Sequence, residues 1–113
     1  MSLTQASIII INYNGLRFLD ELFTSIEAQT LPPQEILLID NASTDGSAEL
    51  AESRCPRARI IRLRSNLGFA AAANAGLRES RSEASALVNT DIRLDRYWRS
   101  EEHTSELQSR QSI

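Results

Sequence analysis

Residues 36–47 read Ile-Leu-Leu-Ile-Asp-Asn-Ala-Ser-Thr-Asp-Gly-Ser, an uninterrupted aliphatic run that stops at Asp40 and becomes a polar loop. Four aliphatic residues in a row with turn formers on both sides suit a strand covered on both faces. Periodicity alone leaves a buried helix open, and the short length favours the strand. Asp40 then stands at the carboxyl end of a parallel strand, where open α/β sheets bind ligands. Thr44 or Asp45 is placed to cap the helix that follows.

Upstream of this stretch, Ala6-Ser7-Ile8-Ile9-Ile10-Ile11 is rich in β-branched residues and breaks at Asn12-Tyr13-Asn14-Gly15, which gives a first buried strand and a turn. Leu16, Leu19, Leu22, Phe23 and Ile26 then recur at helical spacing as one apolar stripe. Pro32-Pro33 ends that helix, because proline cannot continue it and pushes the preceding residue out of the α region. Downstream, Leu50 and Ala51 lie on the inner face of a helix that Cys55-Pro56 stops. Ile60, Ile61 and Leu63, flanked by arginines, predict a third and less buried strand. A helix is expected from Phe69 to about Ser80, with the Phe69 to Ala73 run packing against the sheet, and Ala86-Leu87-Val88-Asn89 gives a fourth strand. Strands alternating with helical crossovers predict a parallel, doubly wound or Rossmann-like sheet, with right-handed connections. All strand-exit loops then share one rim, which gathers Asn12, Asn14, Asp40, Asn41, Asp45, Asn66 and Asp91.

Composition narrows the function classes. The chain has 113 residues, 42% hydrophobic and 24% charged, which fits one small domain. A net charge of -3, with no basic stripe interleaved with aromatics, argues against a nucleic-acid partner. The lone Cys55 offers neither an internal disulfide nor a cysteine-based zinc site and fits a reducing compartment. The longest aliphatic stretch, Ile8 to Ile11, is far short of the roughly 20 residues a membrane span needs. The Arg57 to Arg64 segment reads as a solvated face rather than a phosphate clamp. Neither Gly-x-Gly-x-x-Gly after the first strand nor a Gly-rich run ending in Lys-Ser/Thr is present, so a dinucleotide site is weakly supported and P-loop hydrolysis is excluded on motif grounds. The rim offers hydrogen-bonding side chains instead. Asp40 can accept from a base N–H or a ribose hydroxyl. Asp91 can bind a hard divalent cation together with diphosphate oxygens.

Four segments in order, Ser7 to Gly15, Leu38 to Ser47, Asn66-Leu67-Gly68-Phe69-Ala70 with Asn74-Ala75-Gly76, and Leu87-Val88-Asn89-Thr90-Asp91, resemble the signatures of family 2 glycosyltransferases of the GT-A fold, nearest the bacterial rhamnosyltransferase-like branch. The resemblance covers Ala6 to about Trp98. It implies a sugar transfer from a nucleotide-diphosphate-sugar donor to an acceptor hydroxyl, with a glycan or lipid-linked acceptor in the full-length protein. It also implies that Asn12, Tyr13 and Asn14 with Asp40 and Asn41 hold base and ribose, and that Asn66, Gly68 and Asn74 line the nucleotide pocket. Asp91 matches the last acidic residue of the family's Asp-x-Asp metal motif, and Asn89 stands where many members have the first aspartate. A divalent cation, magnesium or manganese, is therefore expected on Asp91 and Asn89. The family's general base lies in a later part of the domain, so no catalytic base is assigned. The resemblance places the chain in the cytoplasm, with a peripheral position at the inner membrane open to the full-length protein.

Residues 1–98 are thus read as the amino-terminal, nucleotide-sugar-binding part of a truncated GT-A domain. Residues 99–113 differ in kind: Leu107 and Ile113 are their only aliphatics, and residues 99–109 resemble the in-frame translation of a sequencing adapter. They are expected to be a non-native tail, which removes Glu101, Glu102 and His103 from any catalytic role. The fragment is expected to be inactive alone and poorly soluble, because a truncated sheet leaves an unpaired edge. A non-catalytic nucleotide-binding Rossmann-like module is the alternative, and a Rossmann-like oxidoreductase a third.

Overall fold

The computed structural model describes residues 6–90. Seven elements alternate along them: β1 (Ala6–Asn12), α1 (Leu16–Glu27), β2 (Glu35–Asp40), α2 (Ser47–Arg54), β3 (Arg59–Arg62), α3 (Phe69–Glu79) and β4 (Ala84–Asn89). The strands form one parallel sheet in the order β3-β2-β1-β4. The element order expected from the sequence is the order observed.

The aliphatic runs of β1 and β2 are explained by coverage on both faces. Ile8 and Ile10 of β1, with Ile36 and Leu38 of β2, pack against Leu19, Leu22, Phe23 and Ile26 of α1 and Ala51 of α2. Ile9, Ile11, Leu37 and Ile39 point the other way, against Ala72 and Ala73 of α3. Alternate residues of a strand serve opposite faces, so a strand between two helical layers has no polar position in its middle. Leu16 is 39% exposed, leaving the α1 stripe to the four residues after it. The expected packing of Phe69 to Ala73 holds only for Ala72 and Ala73. Phe69 is 38% exposed, because it is the first residue of α3 and sits beyond the sheet at the rim.

β3 is half-buried, as its flanking arginines suggested. Arg62 pairs with Glu49 at 3.0 Å and Glu52 at 2.8 Å, and Arg59 lies 3.5 Å from Glu79. These exposed pairs contribute little stability, and they keep the strand's outer face polar.

Close approach of α3 depends on Gly76. A Cβ there would lie against Ile9 Cγ2 and 3.2 Å from Ile39 Cγ1. Gly76→Ala is expected to destabilise the fold by about 1–3 kcal/mol through overpacking. Denaturant unfolding should show a lower midpoint at unchanged slope, whereas a variant as stable as the parent would mean that α3 does not rest on β1 and β2.

Candidate functional site

The carboxyl ends of β1 and β2 finish in register, Asn12 opposite Asp40, and both side chains are buried. The Asp40 carboxylate does not reach outward. Its Oδ1 accepts from Asn12 Nδ2 at 2.8 Å and from Ser43 Oγ at 2.6 Å, and its Oδ2 accepts from the Ser43 N–H at 3.0 Å. Asn12 Nδ2 also donates to Ser47 Oγ at 2.8 Å, which ties the first strand to the start of α2. These contacts fix the amide's orientation, since a flipped Asn12 would set an oxygen against the carboxylate. Asn12 Oδ1 is left buried without a partner among the described residues. It lies near Gly15, where a Cβ would come 2.5 Å from it and press on the Thr90 side chain.

Two residues with positive φ bend the loops around this knot. Asn14, at φ 50°, donates its N–H to Ser43 Oγ at 2.9 Å and accepts from the Thr44 N–H at 2.8 Å. Ala42, at φ 63°, turns the chain so that Ser43 can fold back on Asp40. Asp45 acts at two helix starts: Oδ1 accepts from the Ser47 N–H at 2.9 Å and Oδ2 from the Leu16 N–H at 3.0 Å. The N-cap residue of α2 is Gly46 rather than Thr44 or Asp45, and Asp45, one residue before it, satisfies the first N–H of both α2 and α1. Burial pushes the Asp45 carboxyl up, but hydrogen bonds from Ser47 and Leu16 outweigh it and hold the group below the usual carboxylate range. Negative charge beside helix amino termini is favourable for the same electrostatic reason.

Beside the knot lies an open cleft of about 440 Å³. Tyr13, Phe18 and Phe69 supply its aromatic walls, and Asn14, Asn41, Asn66 and Asn89 bring amides to it. Asn41 holds the far wall in place: its Nδ2 donates to Gly68 O at 3.2 Å and its Oδ1 accepts from the Leu67 N–H at 3.1 Å. Asn66 Oδ1 accepts from the Gly68 N–H at 2.9 Å. Gly68, at φ 88°, can take this turn because it lacks a side chain. Among the described residues, none that lines the cleft carries a charge.

The structure thus brings Tyr13, Asn14, Asn41, Asn66, Gly68 and Asn89 together on one cleft and keeps Asn12 and Asp40 beneath it. Asn74 is on the exposed side of α3, outside the cleft lining. Asp91 lies outside the described residues, as does the whole tail. Phe18 and Thr90 line the cleft without having been singled out in the sequence. Phe18 falls between Leu16 and Leu19 of the α1 stripe but off its face, and that off-stripe position was the available signal.

The model of glycosyl transferase family 2 matches residues 7–102. The chain belongs to glycosyltransferase family 2. A cholesterol galactosyltransferase of Borreliella burgdorferi is 37% identical over 81 residues, covering 70% of this chain and 23% of that protein. An N-acetylglucosaminyl-diphospho-decaprenol L-rhamnosyltransferase of Mycobacterium tuberculosis is 33% identical over 67 residues, covering 59% of this chain and 22% of that one. Among solved structures, S. aureus TarS 1-349 in complex with UDP matches with a TM-score of 0.76 at 24% identity, over 81% of this chain and 29% of that one. A mannosyltransferase of Pyrobaculum calidifontis in complex with GDP-Man and Mn2+ matches with a TM-score of 0.74 at 24% identity, over 80% of this chain and 28% of that one. The family 2 chain therefore has the GT-A fold, and it spans no more than about a third of the length of the first curated relatives it matches.

Two outcomes follow from the buried knot. Asp40→Ala should cost about 1–3 kcal/mol or more in denaturant unfolding, because buried donors on Asn12 and Ser43 lose their acceptor. Full stability in that variant would refute the structural role. Because the folded Asp45 lies below its unfolded value, its contribution is complete above the ordinary aspartate range and is lost as pH falls through the folded value. Melting temperature should thus drop more steeply on acidification in the parent than in Asp45→Asn, and parallel pH profiles would exclude this contribution.

Proposed function

We propose that the cleft above the Asn12–Asp40 knot holds the nucleotide of a nucleotide-diphosphate-sugar donor, and that the longer protein transfers the sugar to an acceptor hydroxyl on a glycan or a lipid-linked carrier. Carrying this reading is the cleft's position at the carboxyl ends of parallel strands, together with its aromatic and amide lining. Tyr13, Phe18 and Phe69 offer faces on which a base can stack, and Asn14, Asn41 and Asn66 offer amides that can read its edge or the ribose. Membership of a glycosyltransferase family supports sugar transfer as the reaction. The relatives that carry UDP, or GDP-Man with Mn2+, support the donor class.

The cleft's neutrality bears on the cation. A diphosphate brought here meets no positive side chain among the described lining residues, and no group of three or more His, Cys, Asp or Glu residues is placed to hold a metal ion among them. Asn89 and Thr90 line the cleft, and Asp91 is the next residue in sequence. Magnesium or manganese commonly needs only one or two carboxylates when diphosphate oxygens and waters complete its shell. Asp91 with Asn89 would hold it, and when bound it would neutralise the departing diphosphate.

None of the cleft's described residues is a carboxylate placed to take the acceptor's proton. In this reading the base comes from a later part of the domain, as the family resemblance implies. Residues 1–98 bind the donor without turning it over, and residues 99–113 take no part.

Calorimetry of the 113-residue chain with UDP- and dTDP-sugars, with and without manganese, tests this reading. Binding should require the cation, and Tyr13→Ala should weaken it by roughly 10- to 100-fold, in line with the worth of one base–aromatic stack. Cation-independent binding would favour a non-catalytic nucleotide module, and binding of NAD in place of these donors would overturn both.

A further inference from the structure

A second polar cavity, of about 300 Å³, opens at the opposite end of the sheet, where the strands begin. Gln34 and Glu35 at the start of β2, Arg57 and Arg59 at the entry to β3, and Arg81 and Ser82 between α3 and β4 line it. Three arginines and one glutamate therefore line it.

That carboxylate is already engaged. Glu35 Oε1 accepts from Ser7 Oγ at 2.8 Å and from the Arg81 N–H at 2.9 Å, and Oε2 lies 3.8 Å from Arg59 Nη2. Arg59 is engaged as well, its Nη2 donating to Glu79 O at 2.6 Å and lying 3.5 Å from Glu79 Oε1, whereas Arg57 and Arg81 are less committed. Arg57 reaches only backbone carbonyls, Pro33 O at 2.7 Å and Gln34 O at 3.5 Å. The Arg81 guanidinium enters no salt bridge among the described residues. Arg59 Nε and Ser82 Oγ are buried and have no hydrogen-bond acceptor. Both of those atoms are closed to solvent, so the surface the cavity offers an anion is that of the exposed Arg57 and Arg81. Guanidinium forks match the oxygens of a phosphate in geometry as well as in charge. The solvated face read from the arginine-rich sequence around β3 thus acquires a third arginine from a distant loop, and a cavity between them.

We propose that this cavity is an anion site that takes a phosphate group, held by Arg57 and Arg81 with the charge of Arg59 beside them. The group is either free phosphate or the headgroup of an anionic phospholipid. It is separate from the cleft at the strand ends, so both can be filled at once.

Titration calorimetry of the 113-residue chain with sodium phosphate, against sodium chloride at matched ionic strength, tests the free anion. Co-sedimentation with phosphatidylglycerol vesicles, against phosphatidylcholine vesicles, tests the headgroup. Arg81→Ala removes an exposed side chain that makes no salt bridge among the described residues, and a thermal melt checks that the fold is kept. Arg57→Gln serves as a second variant. Each should weaken the response by about tenfold, the worth of one charge-assisted hydrogen bond. A phosphate response sensitive to both variants identifies the free anion as a ligand, and a vesicle response sensitive to both, without a phosphate response, identifies the headgroup. Phosphate acting no better than chloride together with phosphatidylglycerol acting no better than phosphatidylcholine overturns the proposal, as do variants that respond like the parent. A failed nucleotide titration leaves this result untouched, because no described residue of the other cleft is an arginine.

Discussion

Asn12 and Asp40 face each other at the ends of the two central strands, and the 2.8 Å hydrogen bond between their side chains is the constraint on which the rim is built. A carboxylate with 3% exposure is costly to bury unless its oxygens are occupied, and here three donors occupy them. Those donors come from β1 and from the loop after β2. Satisfying Asp40 therefore fixes where that loop runs, and through Ser47 where α2 begins. Asp45 extends the same logic to α1, whose first N–H it accepts.

The consequence is a division between carboxyl groups tied up at and below the rim and a cleft with no charged lining among the described residues. Asp40 at the strand end spends its hydrogen-bonding capacity on Asn12 and Ser43, and Asp45 in the loop spends its own on the first N–H groups of two helices. What faces the cleft is aromatic rings, glycine backbone and amides. Such a surface suits a nucleoside, which is flat, uncharged and rich in donors and acceptors. It is unsuited to a diphosphate without a counter-charge, which is why family membership and a cation belong to the same reading. The arginines collect instead at the opposite end of the sheet, around the starts of β2 and β3.

Much of this was legible in the sequence, and the reasons are specific. Ile8 to Ile11 and Ile36 to Ile39 declare strands covered on both faces because no polar residue interrupts them, and Pro32-Pro33 declares where α1 must stop. The position of Asp40 at a strand end was equally plain. Its inward orientation was not, since it depends on Asn12, which is far away in sequence and adjacent only through the β1–β2 register. Asn74 shows the converse: the family resemblance placed it near the pocket, and the structure sets it on the exposed side of α3. Phe69 read as packing because it begins an alanine-rich run, whereas its place at the first turn of α3 carries it past the sheet to the cleft. Arg81 could not be grouped with Arg57 and Arg59 from the sequence, because only the start of the sheet brings them together.

The most direct measurement is a two-dimensional amide NMR titration of the 113-residue chain with UDP and magnesium. With the donor nucleotide in the strand-end cleft, the amides of Tyr13, Asn14, Gly15, Asn41 and Gly68 shift together, while those of Ile8 and Leu37 in mid-strand stay in place. Shifts that cluster instead around Gln34, Cys55 and Arg57, with Tyr13 and Gly68 unmoved, would contradict it.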